Sequence, residues 1–508
     1  MFDKTKEISR QTWISATFLL IISSVVSKAF GFIREMLIAQ KFGISGQVDA
    51  YMVALSIPVL IGGTIGSAFS VALVPIYHKL TNGNNEQKAK RFINTVFSFT
   101  TLISLLAMGI IFFMPETIIK LIAPSLPDST ISLTIELLKW LLLLLMGYSL
   151  YNVLSAVYNA IHHFKIPAFT DMFSNLFIIA ALIFLTSAMG IYALVTGMIS
   201  SFYFFLLVFL VHLFYHRLLG FNFDIKTKEF REFISFTAPV LLFMFFMSAS
   251  GIIENFFASS LKEGSIASLG YAKRLYDIIP TLLIANIAKA VFPTFSTLHA
   301  ENKTEALRDL VIKLNKQFII YFLPVTCIVI FYRKEIISLV FMRGAFDETA
   351  LTLTSSAFMF YSLGLLASTM VPVFFRLCYA FSDSISPLIA IVASVSAMIL
   401  FNYFLSPFMG ISGIALSNTL SVFITLFALG FLVRKKLGGI ELLPLLKSFL
   451  ISALCATLVL IPFIYFSFSN PYYILFLIPA YFVLYLALGM FVSKNEFNKV
   501  WMTLRKNI

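Results

Sequence analysis

The chain has 508 residues, 59% of them apolar and only 12% charged, with a formal net charge of +13. A soluble domain carries roughly a quarter charged residues, so the composition excludes a soluble enzyme or binding module. A mean hydropathy of +0.94 with repeated long apolar runs marks an all-α polytopic membrane protein, whereas the apolar/polar alternation of an outer-membrane barrel is absent.

In chain order, Met1 to Gln11 is polar and runs into a long apolar span with no small-residue cleavage site, so it reads as a retained first helix and not a removed signal peptide. Hydropathy predicts about fourteen spans: 13–41, 50–78, 93–114, 133–160, 167–188, 190–213, 232–257, 266–296, 316–332, 351–379, 386–406, 410–433, 447–468 and 472–493. Pro58, Pro75, Pro280, Pro293 and Pro372 fall within spans or near their ends and predict kinks. Gly62, Gly63 and Gly66 on the second span read as close helix packing. Cys327, Cys378 and Cys455 lie in apolar runs, too dispersed for disulfides or a metal site, and the six histidines near span ends show no metal-ligand spacing.

The loops fix an expected orientation. With the N-terminus inside, the inner loops and termini carry twenty-four Lys and Arg, including Lys79, Lys88, Arg231, Arg308 and Lys436. The outer loops hold five: Lys120, Lys262, Arg333, Lys334 and Arg343. This bias places both termini in the cytoplasm. The net charge is therefore a topology signal. The basic residues are spread over short loops and form no stripe for nucleic acid.

The first half of the chain returns about 220 residues later. Gly31-Phe-Ile-Arg34-Glu35 aligns with Gly251-Ile-Ile-Glu254-Asn255, Pro75 with Pro293, Pro167 with Pro387, and Gly190-Ile-Tyr-Ala-Leu with Gly410-Ile-Ser-Gly-Ile. Two similar halves of six spans are the usual build of an alternating-access transporter. The expected division is an N-terminal lobe at 1–220, a C-terminal lobe at 221–440, and an added pair of spans with a cytoplasmic tail at 441–508. That pair has no charged residue between Phe449 and Val492.

Eight basic residues remain inside the spans: Lys28, Arg34, Lys41, Lys139, Lys273, Arg274, Lys289 and Arg376. Each costs roughly 2.5–3.5 kcal/mol at the bilayer centre. Lys41 and Lys139 lie near span ends and can snorkel. Lys28, Arg34, Arg274 and Arg376 lie deeper, as do the acids Glu35, Asp49, Glu254, Asp277 and Asp383. Lys28 and Glu35, seven apart, share a helix face, and Asp277 is one turn from Lys273 and Arg274. Read blandly, these are ion pairs that hold helices together. Read functionally, they line a polar cavity between the lobes, because they cluster on spans one, seven, eight and ten in corresponding parts of both repeats. Arginine suits phosphate and carboxylate oxygens, so a cavity with Lys28, Arg34 and Arg274 favours an anion such as a diphosphate or sugar acid. No phosphate-binding glycine loop, zinc spacing or nucleophile elbow is present, and the extramembrane segments are too short for a catalytic domain.

Ser27-Lys28-Ala-Phe-Gly31-Phe-Ile-Arg34-Glu35, with Ile38-Ala39, Phe42-Gly43 and Asp49-Ala50-Tyr51 after it, resembles the start of the MurJ/MviN family. The likeness continues through Ala68-Phe69-Ser70, Val74-Pro75, Tyr271-Ala272-Lys273-Arg274-Leu275 before Pro280, Arg343-Gly344-Ala345-Phe346-Asp347, Tyr361-Ser-Leu-Gly364-Leu365, and Tyr379-Ala380 before Pro387. These proteins belong to the multidrug/oligosaccharidyl-lipid/polysaccharide exporter superfamily and flip lipid II for peptidoglycan synthesis. The resemblance implies fourteen helices in two six-helix lobes, plus a final pair forming a hydrophobic groove. It carries the family's basic residue of the first span onto Lys28 and its second arginine onto Arg34. It places the acid before span two at Asp49, and the span-eight arginine and acid at Arg274 and Asp277. An arginine often seen in span two has no counterpart, since that stretch reads Leu60-Ile61-Gly62-Gly63.

The function so implied is a lipid II flippase of the inner membrane, working without a cofactor. Lys28, Arg34 and Arg274 would hold the head, while Glu35, Asp49, Glu254, Asp277 and Arg376 would tune charge or gate. Its partners would be the polyprenyl-diphosphate-linked saccharide, membrane lipids and the cell-wall synthesis machinery. The alternatives are a flippase for another polyprenyl-diphosphate-linked glycan, of O-antigen or capsule type, and a non-transporting cell-wall scaffold.

Overall fold

A computed structural model describes residues 13–83, 85–161, 163, 165–216, 218–439, 441–464, 471–493 and 497. The polar N-terminus to Gln11, Arg217 and the tail residues Lys494, Lys499, Arg505 and Lys506 lie outside them. Among the described residues the chain is helical and holds no strand. It separates into two compact units, Met1–Ala267 and Ser268–Ile508.

The first unit contains α1 (Trp13–Phe42), α2 (Gly46–Asn82), α3 (Glu86–Phe113), the short α4 (Pro115–Ile122), α5 (Asp128–Ala160), α6 (Lys165–Phe184), one turn α7 (Thr186–Met189), α8 (Tyr192–Tyr215) and α9 (Lys228–Ala258). The 37-residue α2 keeps Pro58 and Pro75 in its interior and packs along α5. Glycine makes that approach possible. A Cβ at Gly62 would lie 2.4 Å from the Leu145 carbonyl oxygen, and one at Gly66 would lie 2.8 Å from Asn152 Cβ. Ser149 Oγ donates to the Gly62 carbonyl at 3.2 Å, and Ser70 Oγ donates to the Asn152 carbonyl at 2.7 Å. The expectation of tight packing at Gly62 and Gly66 therefore holds, while Gly63 faces open space. A core of the unit joins α2, α3, α5, α8 and α9 through Phe69, Phe92, Tyr158, Phe209 and Phe233.

α10 (Ser265–Ile279) starts at the end of the first unit and is broken after Ile279 by a π turn at Pro280–Ile284. The second unit continues with α11 (Ala285–Ala300), α12 (Thr304–Phe331), α13 (Arg333–Phe341), α14 (Glu348–Leu363), α15 (Leu365–Ala380), α16 (Ile385–Met409), α17 (Ile411–Lys436), α18 (Leu443–Ile464) and α19 (Ile474–Val492). Asp347 caps α14 by accepting from the Ala350 amide at 2.8 Å. α14 and α15 meet at Gly364 with a bend of 46°. Cys378 is buried in the core around α11, α12 and α15, and Cys455 in the core under α18 and α19. The terminal pair is anchored by tyrosines. Tyr485 donates to the Ile320 carbonyl at 3.0 Å and Tyr481 to the Ala456 carbonyl at 3.2 Å. Its outer face is apolar, with Leu443, Leu450, Phe476 and Phe491 exposed.

Among the described residues, ten helices are long and apolar enough to cross a membrane, or eleven if the bent α14–α15 pair counts as one span. Helices also occupy the predicted ranges 13–41, 167–188 and 266–296. The last of these is interrupted at Pro280, and it carries Lys273, Arg274, Asp277 and Lys289, so it is not one continuous apolar stretch. The repeat read from the sequence has a local structural echo. Gly190 has φ 55° and ψ −132°, and Gly410 has φ 56° and ψ −133°. Each ends one helix just before the next begins, in a backbone region open only to glycine. α6 and α16 likewise start 220 residues apart, at Lys165 and Ile385.

Candidate functional site

In the first unit, α1 and α6 bring together a polar cluster inside an apolar bundle. Arg34 is half-buried, its side chain 27% exposed, and both edges of its guanidinium are engaged. Nη2 and Nε donate to Glu35 Oε1 at 2.7 and 3.2 Å, and Nη1 donates to Asn175 Oδ1 at 2.9 Å. Asn175 is buried and fully used. Its Nδ2 donates to the Ser27 carbonyl at 3.1 Å, the Ser27 hydroxyl at 3.4 Å and the Asp171 carbonyl at 3.0 Å. Asn175 thus ties α6 to α1 and fixes the arginine fork. Lys28 is exposed on α1, two turns before Glu35, and its charge acts on Asp171 of α6. The Tyr151 hydroxyl of α5 hydrogen-bonds to Asp171. The Arg34 charge is felt by the buried Tyr51 of α2 and by Tyr148 of α5.

This pairing differs from the one expected from spacing. Glu35 is bonded by its neighbour Arg34, and the Lys28 charge acts on Asp171. Adjacent residues on a helix do not normally face each other. Arg34 is long enough to fold back, and Asn175 holds it there.

Asp49 sits elsewhere in the unit. It is buried in the first turn of α2 and binds backbone, not a cation: Oδ2 accepts from the Gly264 amide at 2.6 Å and Oδ1 from the Ala267 amide at 2.7 Å. The carboxylate therefore caps the start of α10 from another helix, where the exposed amides and the dipole favour an anion. Glu263 returns the contact by accepting from the Gly46 amide at 2.7 Å. Gly264 has φ +84°, and a Cβ there would lie 2.2 Å from the Ile44 carbonyl oxygen. The α1–α2 turn is in this way clasped to the α9–α10 turn. Glu254, on α9, is buried.

In the second unit Arg274 and Asp277 are half-buried on α10, one turn before the π turn. A π turn inside a helix often marks a functional position. Tyr271 anchors this segment between Phe341 and Phe346, with ring centroids 5.3 and 5.9 Å away. Arg376, half-buried on α15, places its guanidinium 5.9 Å from the Phe292 ring centre of α11. Asp383, in the α15–α16 turn, pairs with Lys436 at the end of α17.

Asp171 and Asn175 were not singled out in the sequence. Asp171 lies close to the predicted start of its span, where an acid draws no notice. The available signal was the spacing of four between an acid and an amide, which places both on one face of an apolar helix.

The sequence profile of the family described as lipid II flippase MurJ matches residues 38–484. A probable lipid II flippase MurJ from Buchnera aphidicola subsp. Acyrthosiphon pisum is 26% identical over 456 residues, 87% of each chain. Its counterpart from Rhizobium tropici is 27% identical over 432 residues, 80% of this chain and 79% of that one. Among solved structures, a lipid II flippase MurJ in an inward closed conformation superposes with a TM-score of 0.82 at 24% identity, covering 94% of this chain and 99% of that one. A multidrug resistance MATE family transporter of the MOP superfamily, inward-facing, gives 0.68 at 14% identity over 81% of this chain and 94% of that one. The fold is that of these transporters, and the apolar helices make the chain a multi-pass protein of the inner membrane. The chain belongs to the lipid II flippase MurJ family.

Proposed function

We propose that this chain moves lipid II from the inner to the outer leaflet of the cytoplasmic membrane for cell-wall synthesis. The observation that carries this reading is the half-buried Arg34 fork, held on the first helix by Asn175 within a chain of this family. A planar guanidinium in a partly dry site is a strong donor to phosphate oxygens. Lys28, Arg34 and Arg274 bind the diphosphate. Glu35, Glu254, Asp277 and Arg376 set the charge around them, and Asp49 gates through its grip on the α10 start. The chain crosses the membrane fourteen times with both termini in the cytoplasm. The lobes 1–220 and 221–440 alternate, and 441–508 accommodates the polyprenyl tail along the apolar faces of α18 and α19. Moving net charge through the field contributes about 2.3 kcal/mol per charge per 100 mV, so membrane potential biases the cycle. The cycle makes and breaks no covalent bond, and the cell-wall synthesis machinery is the expected neighbour.

The experiment is complementation of a flippase-depleted cell. Wild type restores growth. Arg34→Ala and Arg274→Ala insert into the membrane and fail to restore it. Growth restored by both variants would refute the assigned roles. One observation favours a second reading, a flippase for another polyprenyl-diphosphate-linked glycan. α2 has no arginine near Gly63, whose surroundings are open. Depletion separates the two: lysis with accumulated lipid II supports the first, and loss of surface polysaccharide supports the second.

A further inference from the structure

The second unit holds, at one end of its bundle, a cavity of about 300 Å³. The last turn of α11, the turn into α12, the turn after α15 and the end of α17 form its wall. His299, Asn302, Thr304 and Lys436 are its polar lining, Phe381 its aromatic side, and no carboxylate is among the lining residues. Each of the four polar side chains can donate a hydrogen bond. The wall is fixed by its own contacts. The Phe381 ring meets the His299 ring edge to face, centroids 4.8 Å apart, and lies 5.7 Å from Lys436 Nζ. Asp383 pairs with Lys436, whose ammonium carries three donors. Arg308 Nη2 donates to the Leu437 carbonyl at 2.8 Å and fastens the end of α17 to α12. Glu301, in the turn between α11 and α12, pairs with Lys303 at 2.8 Å.

We propose that this cavity binds the headgroup of an anionic phospholipid of the surrounding bilayer. It does not depend on the lipid II reading. α17 arrives from an apolar span and ends in Arg434, Lys435 and Lys436, which puts the cavity at the level where headgroups meet water. Basic pockets between membrane helices at that level take anionic headgroups. The volume is at the small end of ligand pockets and suits a phosphodiester head, with the chains left outside. The ammonium, imidazole, amide and hydroxyl donors match phosphate oxygens. The ammonium of a zwitterionic headgroup finds no carboxylate in the lining, and Asp383 beside it is engaged by Lys436 and by the Ile385 and Ser386 amides, each at 3.0 Å. Apolar surface starts next to that pair. Ile385 and Ile389, one turn apart on α16, are exposed and offer a seat to an acyl chain, which a soluble anion lacks.

The test uses the full chain in detergent micelles, titrated separately with dioleoylphosphatidylglycerol, dioleoylphosphatidylcholine and inorganic phosphate. The readout is amide hydrogen exchange over residues 299–307, which form one wall of the cavity. Phosphatidylglycerol at about ten times its Kd should slow this exchange by about tenfold, while the other two should leave it within about twofold of the ligand-free rate. The double variant Asn302→Gly/Thr304→Ala removes two donors, fits the φ of +55° at residue 302 and leaves the Lys436–Asp383 pair in place. It should lose most of the slowing, and so should Lys436→Gln. If Lys436→Gln does not fold, the double variant decides. Equal slowing by phosphatidylcholine, equal slowing by phosphate alone, or wild-type slowing in the folded double variant would each overturn the proposal.

Discussion

Removing the Asp49 carboxylate should loosen the clasp between the α1–α2 and α9–α10 turns. In Asp49→Ala, the Gly264 and Ala267 amides lose partners now 2.6 and 2.7 Å away. Hydrogen bonds to a charged group contribute about 1.5–3 kcal/mol each, and a buried donor left without a partner costs about 1–3 kcal/mol. Asp49 is 3% exposed, so water does not readily replace it. The two bonds together predict a loss of about 3–6 kcal/mol, reduced by whatever relaxation the turn allows. Asp49→Asn keeps one acceptor but turns an amide group toward a backbone donor, so it should lose about half as much. The assay is thermal unfolding of purified protein combined with hydrogen exchange across residues 259–267. Both variants should exchange faster at Gly264 and Ala267, and alanine more than asparagine. Wild-type protection at these amides in Asp49→Ala would refute the capping role.

Other outcomes are equally specific. Gly62→Val must push α2 off the Leu145 backbone and should lower stability by at least about 2 kcal/mol, whereas Gly63→Ala, facing open space, should be neutral or slightly stabilising, as paired melting curves will show. Gly190→Ala and Gly410→Ala force a side chain into the same positive-φ backbone and should each cost about 1–3 kcal/mol, by similar amounts because the two glycines share one backbone conformation. At Asp383, burial acts to raise the carboxyl, but the hydrogen bonds from Lys436 and Ser386 outweigh it and hold the group at about 2, below its ordinary 3.8. A depressed folded-state value gives stability that is present above the unfolded value and lost as pH falls toward the folded one. Wild type should therefore lose stability from this group between about pH 4 and about pH 2, and Asp383→Asn should lack that component in acid-unfolding curves.

What the sequence showed and what it hid follow from the same physics. Apolar length is a local property, so the helices from Gly46–Asn82 to Ile474–Val492 were readable from hydropathy alone. The Gly190 and Gly410 match is readable because a φ near +55° combined with a ψ near −132° requires glycine at both places. Arg34 stood out because a charge at membrane depth is rare. Its partners did not, since Asn175 comes from a helix 141 positions away and carries no charge. Periodicity alone paired Lys28 with Glu35, but it does not register how far an arginine can fold back along its own helix. Asp49 looked like a charge at depth, yet its partners are backbone amides of a distant turn, and such amides have no sequence signature.

The central claim is that cations on α1 and α10 carry a diphosphate headgroup across the membrane. Proteoliposomes containing purified chain and fluorescent lipid II, with outer-leaflet label quenched, measure this transfer directly. Wild type should equilibrate the label between leaflets, while Arg34→Ala and Arg274→Ala, folded and inserted, should leave it where it started. Transfer at the wild-type rate by both variants would contradict the account.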